Sequence, residues 1–96
     1  MKNITLYIIT FTLFLITSAF AETYEVQMLN KLEKDRNVFN PSILHIKSGD
    51  TVKWISVDKG HNIAFTKKGV PEGVELYKSK INTDAEYTFN TSGIYA

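Results

Sequence analysis

From Thr23 onward, apolar and polar residues alternate in short runs, with little helical spacing. Tyr24, Val26 and Met28 alternate with Glu25 and Gln27, which predicts a strand with one apolar face. Asn30 to Asn37 is charged and polar and reads as a solvated loop. Val38 to Ile46 predicts an edge-type strand, with Pro41 where no ladder N–H is required, Leu44 and Ile46 inward and His45 outward. Ser48-Gly49-Asp50 marks a turn, and Thr51–Ser56 a strand that buries Val52 and Trp54. Ile63 and Phe65 share one face of a further strand, and residues 67–73 form a loop. Val74 to Lys78 fits one helical turn or a bend equally well. Ala85, Tyr87 and Phe89 alternate as another strand, and a last one begins at Ile94 after the Asn90–Gly93 turn. Short strands at roughly ten-residue spacing predict an all-β sandwich or barrel.

The two ends change this picture. Met1-Lys2-Asn3 is a short positive start, Ile4 to Phe20 is largely apolar, and Ala19-Phe20-Ala21 has the small-x-small form of a cleavage site. Residues 1–21 are therefore expected to be an export signal, and residues 22–96 one small domain. At the other end, the alternation starting at Ile94 has no residues left to complete a strand, so the sheet is expected to need chain beyond Ala96.

Charge and cysteine content narrow the function. Without Lys2, 10 basic side chains face 10 acidic ones, so no global field favours nucleic acid or a membrane surface. No membrane insertion is expected once the signal is removed. Cysteine is absent, which removes thiol chemistry and thiolate metal ligands from this stretch.

The candidate chemistry is at Asp58-Lys59-Gly60-His61-Asn62, where a glycine lets the chain turn just before a histidine at the mouth of a strand. One histidine does not make a metal site, and a plain loop histidine fits these residues as well. His45 reads as a surface residue, and Met28 as a packing residue. A hydrolase built on Asp58 and His61 would lack a nucleophile and an oxyanion motif. Lys59, Lys67, Lys68, Lys78 and Lys80 outnumber Glu72 and Glu75 by three between residues 59 and 80. They fit either a solvated face or a docking ring for an acidic partner.

Taken together and in order, several stretches resemble the cupredoxins, and among them the pseudoazurins, blue-copper electron carriers of the bacterial periplasm. They are Tyr24 to Lys31, Phe39-Asn40-Pro41-Ser42, Gly49-Asp50-Thr51-Val52, Asp58 to Asn62, Tyr77 to Asn82, and Ser92-Gly93-Ile94-Tyr95. The resemblance implies a Greek-key β-sandwich, here without its last strand and copper-ligand loop. It implies type 1 copper held by two histidines, a cysteine and a weak axial methionine, a geometry suited to electron transfer. It places one ligand at His61 and the other three beyond Ala96. Asn62 then helps tie the ligand-bearing loops together. The five lysines would face redox proteins such as copper nitrite reductase or c-type cytochromes. A periplasmic monomer that carries electrons and is not an enzyme is the expectation; a metal-free exported β-sandwich binding module is the alternative.

Overall fold

A computed structural model describes residues 20–96. The export signal expected at 1–21 therefore lies outside the described residues except for Phe20 and Ala21, both exposed. Four strands form one sheet: β1 (Thr23–Leu32), β2 (Asp35–Asn40), β3 (Thr51–Ser56) and β4 (Ala85–Thr88), in the order β2-β1-β3-β4. β1 and β3 run parallel, from Thr23 opposite Thr51 to Met28 opposite Ser56, and the other pairs are antiparallel. The architecture is thus mostly β, as the alternation predicts, and its sheet is mixed. Helical structure among the described residues is one 3₁₀ turn, Lys67–Gly69, within the expected loop. No helix among them is long and apolar enough to cross a membrane.

Alternation places the core correctly. Val26 and Met28 on β1, Val52 and Trp54 on β3, and Ala85 on β4 are buried on one face with Ile63 and Phe89. Leu44, Ile46, Phe65, Tyr77 and Tyr95 pack against that face from outside the sheet and form the second layer. Phe65 lies at its centre, with ring centroids 4.8 Å from Tyr87, 5.6 Å from Tyr77 and 5.7 Å from Tyr95. The Phe65–Tyr87 and Phe65–Tyr77 pairs are edge-on, the arrangement favoured by ring quadrupoles.

Four local expectations need correction. Asn30–Asn37 is not a loop: β1 continues to Leu32, turns through Glu33 and Lys34, and returns as β2. Most of this hairpin is exposed on both faces, so its sequence has no apolar half to reveal it. The strand expected over Val38–Ile46 stops at Asn40, just before Pro41, which cannot donate to the ladder. Leu44 and Ile46 still turn inward and His45 outward, from irregular chain. Residues 63–65 form only an isolated bridge, Ala64 opposite Lys78, with Phe65 N–H donating to Tyr77 O at 2.8 Å and Ser79 N–H to Ile63 O at 2.8 Å. The strand expected from Ile94 is not formed; Ile94 is exposed, and Ala96 N–H donates to Gly69 O.

Met28 is the one large side chain with no exposure at all among the described residues. In the whole protein, Met28→Ala should cost about 2–5 kcal/mol, the usual range for truncating a buried methionine. That is a large share of a small domain's stability and is read as a fall in the urea midpoint. An unchanged midpoint would place Met28 outside the core.

Candidate metal centre

The parallel register of β1 and β3 sets up the site. β1 overruns β3 by several residues, so Asn30 stands beside the loop that leaves β3 at Ser56. That loop is pinned first by Asp58, whose Oδ2 accepts the Asn30 N–H at 2.8 Å while its own N–H donates to Met28 O. Gly60 then takes a φ of 96°, in the left-handed region where a Cβ is costly. The bend at Gly60 brings the half-buried His61 back over the end of β1.

There the ring of His61 meets Asn30. Nε2 lies 2.7 Å from Asn30 Oδ1. An amide oxygen only accepts, so Nε2 is the donor, and in the neutral ring the lone pair is then on Nδ1. A neutral histidine held in this way by one nitrogen can bind a metal through the other.

A second loop closes on the same turn. Asn82 Oδ1 accepts the Gly60 N–H at 2.6 Å, and the Asn82 N–H donates to His61 O at 3.1 Å. Asn82 itself adopts φ 64°, a conformation asparagine tolerates better than most residues. Asp84 Oδ1 accepts the Ser56 N–H at 2.8 Å, so both ends of the 56–61 segment are tied to residues 82–84. Asn62 is half-buried and its Nδ2 donates to Ser79 O at 3.2 Å, while Ser79 Oγ accepts the Ile63 N–H at 2.8 Å. It therefore ties the histidine loop to the 77–80 segment.

The five lysines are exposed. Lys59 is on the histidine loop, and Lys80 is two residues from Asn82 on the loop that clamps it. Lys78 lies on the bridged segment, and Lys67 and Lys68 on the 3₁₀ turn. Asn30 and Asn82 have no site role in the sequence reading because their pairings with the histidine loop are long-range polar contacts that leave no periodic trace.

As a copper site, these residues fit in orientation but are incomplete in number. The imidazole is presented with Nδ1 free, yet among the described residues no group of three or more histidine, cysteine or carboxylate side chains converges. The chain contains no thiol to complete a type 1 set.

The profile of the copper binding proteins, plastocyanin/azurin family, matches residues 26–96. A pseudoazurin from Paracoccus pantotrophus is 43% identical over 76 residues, 79% of this chain and 52% of that protein. A pseudoazurin from Methylorubrum extorquens is 34% identical over 77 residues, 80% of this chain and 52% of that protein. The solved pseudoazurin of Hyphomicrobium denitrificans superposes with a TM-score of 0.71 at 31% identity, covering 76% of this chain and 60% of that one. The chain spans about half the length of the relatives it matches in sequence. Its fold is the cupredoxin fold of these neighbours. The chain belongs to the plastocyanin/azurin family of copper binding proteins.

Proposed function

We propose that the whole protein is a periplasmic single-electron carrier, exported by residues 1–21, and not an enzyme. The observation that supports it most is the His61 ring, held through Nε2 by Asn30 with Nδ1 free. In this reading His61 is one copper ligand through Nδ1, and the cysteine, second histidine and methionine come from the length this chain does not span. The metal supplies a one-electron couple with little change of geometry between its two oxidation states. The protein's own part is rigidity: Asp58 and Asn82 fix the loop backbone, Asn30 fixes the ring, and Asn62 fixes the loop against residues 77–80. A ligand held this way cannot relax when the metal changes charge, which keeps reorganisation small.

Lys59, Lys67, Lys68, Lys78 and Lys80 are exposed, with Lys59 on the histidine loop and Lys80 on the loop that clamps it. They would draw an acidic face of a redox protein, such as copper nitrite reductase or a c-type cytochrome, toward the metal. A monomer suffices for such transient contacts.

Two outcomes are expected. The whole protein, loaded with Cu(II), should bind one copper and show an intense visible copper–thiolate band, lost in His61→Ala. A protein that takes up no copper contradicts the reading and favours a metal-free binding module. Lys59→Glu with Lys80→Glu should slow electron transfer with an acidic cytochrome on the order of tenfold at low salt and flatten its salt dependence. An unchanged rate would return these lysines to ordinary solvated surface.

A further inference from the structure

Asp50 is the one buried charged side chain among the described residues, 3% exposed. It sits where the Lys47–Asp50 turn enters β3, and Gly49 makes that turn at φ 98°. Its Oδ2 accepts the Lys47 N–H at 2.8 Å, and its Oδ1 accepts the Glu22 N–H at 2.9 Å. A carboxylate removed from water is costly unless it is hydrogen-bonded and has a countercharge. The two N–H groups meet the first need.

Glu22 is also the first of the described residues to hydrogen-bond into the fold. Its carbonyl accepts the Thr51 N–H at 2.9 Å, and its side-chain Oε2 accepts the Tyr24 hydroxyl at 3.0 Å. The two described residues before it, Phe20 and Ala21, are exposed, Phe20 at 83%. Among the described residues, hydrogen bonding into the fold thus begins at the residue that cleavage after Ala21 would make the N-terminus. The nitrogen that cleavage would free is the one already on Asp50.

We propose that Asp50 is the receptor for the mature N-terminus: hydrolysis of the Ala21–Glu22 peptide bond frees an α-ammonium on Glu22 that pairs with the buried Asp50 carboxylate and locks the start of β1 against β3. Water supplies the hydroxyl to the Ala21 carboxyl and one proton to the new amine, and the proton that the carboxyl then sheds makes the amine an ammonium. The proposal rests on the export reading above. Before cleavage, the bond is a neutral amide on a carboxylate. That bond is already charge-assisted; after cleavage a full positive charge also stands against the Asp50 carboxylate, which favours its ionised form further. Export processing is then also a step that tightens the fold.

The other groups facing this pair are few. Lys47 adds a positive charge from the turn. Glu22, just before β1, and Tyr24 on it face the pair, and the bond to Glu22 holds the Tyr24 hydroxyl above its ordinary range and therefore neutral. From the β4 side come Thr88 and, just after the strand, Phe89, neither of which titrates. The N–H of Glu22, then that of Lys47, holds Asp50 below the usual carboxylate range. Asp50 therefore contributes stability above its unfolded value and loses it as pH falls through the lowered one. An ammonium raised by pairing behaves in the opposite way: its contribution is full below the ordinary 7.7–8.0 and is lost as pH rises through the raised value. The pairing should be worth most around neutrality.

The test uses the full-length protein released by a protease that leaves a chosen first residue. One form begins at Glu22 and the other at Ala21, each with Asp50 and with Asp50→Asn. At neutral pH the form that begins at Ala21 should melt several degrees lower, and the difference should shrink in strong acid and in alkali. In Asp50→Asn the two forms should melt together. Equal melting with Asp50 present, or a difference that survives Asp50→Asn, overturns the pairing. Should Asp50→Asn not fold, the α-amino pKa of the Glu22 form, read by NMR, decides. A rise of a full unit above the ordinary range supports the proposal, and an ordinary value overturns it. The mass of the protein exported to the periplasm tests the processing separately. A first residue other than Glu22 would overturn that half while the pairing stands or falls on the melting data.

Discussion

The parallel pairing of β1 with β3 is the constraint on which the rest depends. It joins two strands distant in sequence, sets Met28 opposite Ser56, and so decides what lies beside the loop that follows. Asn30 has the same parity on β1 as Val26 and Met28, but it lies past the end of the core. It is therefore available to the His61 ring. A slip of one residue would turn Asn30 to the other face, take Val26 and Met28 out of the core, and leave His61 unheld. The hydrophobic cost of that slip is what protects the polar site. Core and site share one register.

The same pairing is held at its two ends by carboxylates acting on backbone N–H groups. At the start, Asp50 holds Glu22 and Lys47; at the far end, Asp58 holds Asn30, with Asp84 on Ser56 beside it. A parallel pair lacks the tight hairpin that fixes an antiparallel one, so its ends need other anchors. These three aspartates provide them. Neither end of the pairing is left to the ladder alone, and the more distant end carries the imidazole.

Much of this was legible from residue order, and the failures have physical causes. Val26, Met28, Val52, Trp54, Ala85 and Phe89 follow from alternation because one face of each segment is buried. The hairpin through Glu33 and Lys34 does not, because it has little buried face, and charged residues in a strand look like those in a loop. Gly60 marked the bend before His61, and its φ of 96° bears that out. The ring's orientation could not be read, since it depends on Asn30, 31 residues away. Asn82 escaped for the same reason, and its positive φ has no signature beyond being asparagine. Alternation finds burial. It does not find which polar side chains meet at the edge of what is buried.

The central claim is that Asn30 holds His61 with a proton on Nε2 and a free lone pair on Nδ1. The most direct test is the ¹⁵N NMR spectrum of the His61 side chain in the metal-free whole protein, at a pH where imidazoles are neutral. The account predicts a protonated Nε2 and an unprotonated Nδ1, with that preference weakened in Asn30→Ala. A ring protonated on Nδ1, or one indifferent to Asn30, would contradict it.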